Sequence, residues 1–124
     1  MELKVKLYLV DDEGEKFMGI GVLWLLEELA KCGSLRQAAL NMDISYTKAL
    51  TMINRLEDKL GRPVIERKKG GQERGGATLS PFGLKFIELY NSFQEEAKRR
   101  TEEPYRAFVR ELGTLLEDEN GRDS

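Results

Sequence analysis

Two helix starts lie eleven residues apart, and a firm stop follows the second. Ser34-Leu35-Arg36-Gln37 puts serine at an N-cap and glutamine three residues on, the pattern of a capping box. Ser45 opens another helix, Gly61 closes it, and Pro63 bars any continuation. The spacing predicts a short helix from Leu35 to about Asn41, a tight turn at Met42-Asp43-Ile44, and a longer helix over 46–60. Ala38 and Ala39 are small enough to let the second helix approach the first closely. At about 100° per residue, Ala49, Ile53, Leu56 and Leu60 share one stripe, which must face a core. The opposite face then carries Thr47, Lys48, Thr51, Asn54, Arg55 and Asp58.

The flanking segments are read in the same way. Leu3, Val5, Leu7 and Leu9 alternate with polar residues and Tyr8, the period of a half-buried strand. Asp11-Asp12-Glu13-Gly14 is a turn, and Glu15 to Met18 can return as a second strand. A helix is expected from about Ile20 to Lys31, with Leu23, Leu26, Leu29 and Ala30 inward and Gly33 closing it. After the stop at Gly61, Val64-Ile65-Glu66 and Ala77-Thr78-Leu79 read as two short strands around a basic, glycine-rich stretch. Ser80-Pro81 is an N-cap with proline at the first helical position. The helix it opens carries Phe82, Phe86, Leu89, Tyr90, Phe93 and Ala97 on one stripe. Thr101 caps a last amphipathic segment with Tyr105, Phe108, Val109, Leu112 and Leu116, and a polar tail follows.

The order is helix, short helix, turn, longer helix, basic hairpin, long helix. The expected fold class is therefore mainly α with small β. It is a winged helix-turn-helix with an N-terminal strand or hairpin and a long C-terminal dimerisation helix. Residues 1–103 are expected to form one domain, with the long helix over about 80–103. Residues 104–117 form a short C-terminal helix, and 118–124 a disordered tail.

Charge is consistent with that order. Residues 31–80 carry ten Lys/Arg against five Asp/Glu, whereas residues 1–30 sum to −4 and residues 81–124 to −3. A basic middle suits a polyanion, although ordinary scatter of surface charge gives the same count. Composition excludes other classes. The absence of histidine removes the commonest general base and metal ligand, and the single Cys32 excludes an internal disulfide or a thiolate zinc site. Glu95-Glu96 and Glu102-Glu103 are consecutive on a helix and so diverge. No catalytic residue, cofactor or metal is expected, and the chain is not read as an enzyme. Neither a membrane span nor a signal peptide is seen, which suggests a cytoplasmic protein. Cys32 reads as a small packed residue, and Trp24 as core or dimer packing.

A helix-turn-helix reads DNA because its second helix lies in a major groove about 12 Å wide while the first braces it. Helix residues Ser45, Tyr46, Thr47, Lys48, Thr51, Asn54 and Arg55, with Ser34 and Arg36 at the start of the short helix, are the candidates for bases and phosphates. Lys48, Thr51 and Asn54 are the expected base readers. In the wing, Arg67, Lys68, Lys69 and Arg74 alternate with Gly70, Gly71, Gly75 and Gly76. Glycine lets backbone amides approach phosphates, and the cations release counterions. A flexible solvated hairpin, or a winged helix kept for dimerisation or protein docking with little DNA affinity, is the alternative. The stripe of Phe82, Phe86, Leu89, Tyr90 and Phe93 is either a packing face of the monomer or a homodimer seam.

The residues also resemble a family. Ile44-Ser45-Tyr46, Ala49 and Ile53-Asn54, then Glu66-Arg67, Gly70-Gly71, Gly75-Gly76-Ala77, Leu79, Gly83, Ile87 and Leu89-Tyr90 are similar to the DNA-binding half of molybdate-responsive transcriptional regulators of the ModE type. More broadly, Gly33-Ser34-Leu35, Ala38-Ala39, Leu56-Glu57, Leu60-Gly61 and Glu66-Arg67 resemble the N-terminal winged helix of LysR-type regulators. The resemblance covers roughly residues 18–93. It implies a recognition helix over 46–60, a wing over 67–76 on the flanking minor groove or phosphates, and a homodimer through the long C-terminal helix, bound to double-stranded DNA. Asp43 departs from the glycine usual in the family's turn, but aspartate tolerates a left-handed conformation. Thr47, Leu50 and Thr51 also depart, which implies a different operator. In fuller members a separate C-terminal domain binds molybdate. No residues are left here for such an oxyanion-binding domain, so molybdate binding is not expected.

Overall fold

The computed structural model describes residues 1–67 and 76–123, with side-chain surroundings as far as Asp118. β1 (Tyr8–Val10) pairs antiparallel with β2 (Lys16–Gly19), Leu9 facing Met18. The alternation from Leu3 predicted a longer first strand. Its phase holds, because Val5, Leu7 and Leu9 are half-buried between exposed neighbours. The ladder is nevertheless only three residues long, since a strand extends no further than the partner it bonds. Asp11 closes the turn: its Oδ1 accepts from the amides of Glu13 and Glu15, both at 2.9 Å, and Gly14 adopts φ 84°.

α1 (Ile20–Cys32) buries Leu23, Leu25, Leu26 and Leu29 and ends at Gly33 with φ 71°. Leu25 is buried although the pattern did not place it inward, and Ala30, in the last turn, is exposed. Trp24 is 56% exposed and is not core. α2 (Leu35–Asn41) and α3 (Tyr46–Leu60) fall on the expected boundaries. Ser34 Oγ accepts the Gln37 amide at 3.1 Å, but the Gln37 side chain turns to Asn41 Oδ1, so only half of the capping box forms. Asn41 in turn donates to Glu28 of α1 at 2.7 Å. Asp43 takes the left-handed conformation, φ 59°, that the turn demands. Ala49, Ile53 and Leu56 are fully buried and Leu60 half-buried.

β3 (Ile65–Arg67) pairs antiparallel with β4 (Ala77–Leu79), one residue later than expected at β3. Three bonds lock this hairpin to the helices. Glu57 Oε2 of α3 accepts the amides of Val64 and Ile65, and the Ala77 amide donates to the Gly33 carbonyl at 3.0 Å. Ser80 Oγ accepts the Gly83 amide and donates to the Pro63 carbonyl. That approach is possible only because two residues are glycine. A Cβ on Gly83 would lie 2.1 Å from the Val64 carbonyl oxygen, and one on Gly76 (φ 108°) 2.3 Å from that of Gly33.

α4 (Pro81–Asp123) corrects two expectations. A cap at Thr101 and a new helix from 104 were predicted, yet the helix runs unbroken through Pro104. Thr101 Oγ1 donates back to the Lys98 carbonyl at 2.7 Å, as a threonine inside a helix does. Glu96 pairs with Arg99 and Arg100 one turn earlier, and Pro104 sits on an exposed turn where water can serve the carbonyl it leaves unbonded. The tail expected at 118–124 is helical as far as Asp123.

Residues Lys6–Tyr90 form one compact unit, and Met1–Val5 with the segment from Asn91 form a second. The core lies in the first, built from Met18, the α1 leucines, Ala38, Ala39, Ile53, Leu56, Val64 and Tyr90.

Candidate nucleic-acid interface

α3 presents four stripes, and each meets a different environment. Ala49, Ile53 and Leu56 enter the core. Tyr46 and Glu57 turn toward β3 and β4: Glu57 holds the β3 amides, and Tyr46 lines a small notch with Ser34, Arg36, Arg67 and Gly76. Lys48, Met52, Arg55 and Lys59 turn toward the β1–β2 hairpin, where Lys59 Nζ pairs with Asp11 Oδ2 at 3.1 Å. The fourth stripe, Thr47, Thr51, Asn54 and Asp58, is exposed along its whole length. Sequence periodicity separated buried from exposed. It could not separate the outward stripe from the stripe facing the hairpin, because both are polar and the hairpin's position is a tertiary fact. Lys48, expected as a base reader beside Thr51 and Asn54, stands on the hairpin side.

The outward stripe is held rigidly. Ser45 Oγ caps α3 by accepting the Lys48 amide at 3.0 Å, and the three-residue turn fixes its N-terminus against α2. Such caps contribute about 1 kcal/mol. Beside them the Arg36 guanidinium lies 4.2 Å over the Tyr46 ring, which orients a cation at the α2–α3 edge. Arg67 is exposed at the end of β3 on the same edge. Ser34 and Ser45 spend their hydroxyls on helix caps, so any contact they make to another molecule is secondary to that role.

The wing residues Lys68, Lys69, Gly70, Gly71, Arg74 and Gly75 lie outside the described residues. Gly76 is half-buried against Gly33, which gives it a packing duty that the sequence did not reveal.

The expected seam divides. Tyr90 is 3% exposed and donates its hydroxyl to the Leu7 carbonyl at 3.2 Å, so it belongs to the chain's own core. Burial raises its pKa. Phe82 and Phe86 are half-buried against that core, with ring centroids 6.5 Å apart and Phe86 to Tyr90 6.2 Å, while Arg62 covers Phe82 at 4.5 Å. The buried side of this stretch is centred on Gly83 and Tyr90, so Phe82 and Phe86 flank it. Leu89 and Phe93 remain at the surface, 71% and 47% exposed, together with Leu84. Among the described residues no group of three or more acidic or cysteine side chains is placed to hold a metal, and no helix is long and apolar enough to cross a membrane.

Comparison with known proteins agrees with this fold. The chain is 36% identical over 67 residues to the transcriptional regulator ModE of Haemophilus influenzae and 37% identical over 67 residues to the DNA-binding transcriptional dual regulator ModE of Escherichia coli. Each match covers 54% of this chain but 26% of the relative, so the chain spans about a quarter of the length of the curated proteins it matches. Among solved structures, the DNA-binding domain of CbnR in complex with DNA superposes with a TM-score of 0.57 at 26% identity, covering 73% of this chain and 98% of that one. Full-length CbnR with its target DNA superposes with a TM-score of 0.54 at 25% identity, covering 68% of this chain and 28% of that one. Residues 21–84 match the family model of bacterial regulatory helix-turn-helix proteins of the lysR family, and with helix-turn-helix, wing strands and long helix in place, the chain belongs to that family.

Proposed function

We propose that this chain is a sequence-specific DNA-binding transcriptional regulator that acts as a homodimer. One observation carries the reading: Thr47, Thr51 and Asn54 form a rigid, uncovered stripe on a capped helix flanked by Lys48, Arg55, Arg36 and Arg67. Short polar side chains on that stripe reach base edges in the major groove, and the flanking cations neutralise phosphates on either side. The wing, Arg67 to Gly76, follows the adjoining backbone. A related regulator described as DNA-binding, and a structural neighbour solved on DNA, support reading the chain as a DNA-binding protein.

The homodimer reading rests on exposed apolar side chains of α4. Leu89 and Phe93 near its start, and Phe108 and Leu115 further along, fall on one side of the helix and are each more than a third exposed. A second copy of α4 offers the same stripe and satisfies it by symmetry. In this reading α4 sets the separation of two recognition helices, and the operator is two-fold with half-sites about 34 Å or a multiple apart. Duplex DNA is the ligand assigned to the α3 face of the chain.

Gel-shift titrations on random and genomic duplexes over graded salt test the reading. A log–log salt slope of several units is expected, since each neutralised phosphate adds roughly 0.9. Absence of retardation at low salt would leave a docking module in its place.

A further inference from the structure

Between the β1–β2 hairpin and α3 lies a cleft of about 410 Å³, wholly within the Lys6–Tyr90 unit. Four cations stand around it, Lys6 and Lys16 from the hairpin side and Lys48 and Arg55 from α3, and among the described residues no carboxylate lines it. Its floor is apolar, with Phe17 and Met52 half-buried and the start of α1 beneath. Gly21 adds room at the start of α1: a Cβ there would meet only Met52 Cε, at 4.0 Å. Lys16 Nζ is held 4.9 Å over the Tyr8 ring, which fixes one cation at the rim.

An apolar floor beneath a cationic rim fits one ligand chemistry, an aromatic or aliphatic body bearing a carboxylate or sulfonate. A bare inorganic anion leaves the floor wet, and a neutral hydrocarbon leaves the cations unpaired. A DNA strand needs the cations but not the enclosed volume. We propose that this cleft binds a small organic anion with an apolar body, held by Lys6, Lys16, Lys48 and Arg55. If α3 reads DNA as proposed above, the occupied cleft also withdraws Lys48 and Arg55 from phosphate, so the anion weakens DNA binding.

Titration calorimetry of the full chain with naphthalene-2-sulfonate tests the site without DNA. It is compared with 2-naphthalenemethanol, which has the ring without the charge, and with sulfate, which has the charge without the ring. Naphthalene-2-sulfonate is expected to bind about tenfold more tightly than either, the scale of one charge-assisted hydrogen bond to a partly desolvated group. Gly21→Leu puts a larger side chain into the cleft from the half-buried start of α1 and should abolish binding, with an unchanged circular dichroism spectrum showing that the chain still folds. Lys6→Ala with Lys16→Ala should weaken binding about tenfold by the same scale. Equal binding of all three probes, or binding indifferent to Gly21→Leu, overturns the site. If the lysine pair instead weakens duplex binding while naphthalene-2-sulfonate never binds, the rim belongs to the DNA backbone and the proposal is wrong. Anion binding without any gel shift would uphold the cleft and defeat the DNA reading alone.

Discussion

Residues 6–90 and the α4 segment beyond residue 90 use apolar side chains in opposite ways. In the first, α1, α2, α3 and both hairpins turn their apolar stripes onto one shared core, and Met18, Leu25, Leu26, Leu29, Ile53, Leu56 and Val64 are fully enclosed. In the second, Phe93, Phe108 and Leu115 share one side of the helix, with Val109 and Leu116 on another, and all stay exposed. An apolar stripe therefore specifies a face that needs cover and does not say which molecule supplies it. Inside the first unit the chain supplies most of it, with Trp24, Leu40, Leu84 and Leu89 left exposed. Along α4 the cover is assigned to a second copy.

The glycines divide in the same way, and they provide the sharpest break of the comparison. Gly83→Ala drives a Cβ into the Val64 carbonyl, a backbone atom that cannot move aside without shifting β3. The expected loss is roughly 3 kcal/mol, the upper range for overpacking. Urea denaturation measures it, and a loss under about 1 kcal/mol would mean that the α4–β3 approach is looser than described.

Next in size is the exposed stripe. Leu115→Asp should shift the protein from dimer toward monomer, since each such apolar side chain buried in an interface contributes roughly 1.5–3 kcal/mol. Sedimentation velocity across a concentration series reads this directly. A wild-type monomer, or a variant dimer of unchanged affinity, would remove α4 as the seam.

Gly113→Ala is the counterpart of the first substitution. Nothing lies within 4 Å of its added Cβ, and the residue sits inside α4. The variant should gain about 0.5–1 kcal/mol from helix propensity alone. A loss would show that a partner packs closely at this position.

The smallest effect concerns the hairpin turn. The Glu15 amide, helped by the Lys59 ammonium and the Glu13 amide, holds the Asp11 carboxyl below its ordinary pKa of 3.8. A lowered folded pKa contributes stability above 3.8 that fades as pH falls through the folded value. The stability gap between the wild type and Asp11→Ala should accordingly narrow below pH 3.8. A gap independent of pH would show that the turn is held by backbone alone.

These contrasts also mark what could be read in the sequence. The helix-turn-helix was legible to the residue, because Ser34, Ser45, Gly33 and Gly61 are local signals whose chemistry acts within one turn. Asp43 was legible for the same reason. The fates of Leu25, Ala30 and Trp24 were not, since a helix hydrophobic on several sides has more than one candidate inward arc. Nor were Gly76 and Gly83, whose need for glycine comes from carbonyls distant in sequence. At Thr101 and Pro104 local signals misled: both favour a break, but a single missing donor on an exposed turn does not end a helix continued from both sides. In the candidate interface, exposure was legible and direction was not, which is why Lys48 was grouped with Thr51 and Asn54.

Selection of bound sequences from a random duplex library, run with the wild type, Asn54→Ala and Arg36→Ala, tests the central claim most directly. The wild type should select a two-fold operator. Asn54→Ala should lose preference at particular base pairs, by roughly 1–3 kcal/mol at each. Arg36→Ala should bind the same sequences more weakly and with a shallower salt slope. Altered base preference in Arg36→Ala with none in Asn54→Ala would contradict the assignment of the outward stripe of α3 to the major groove.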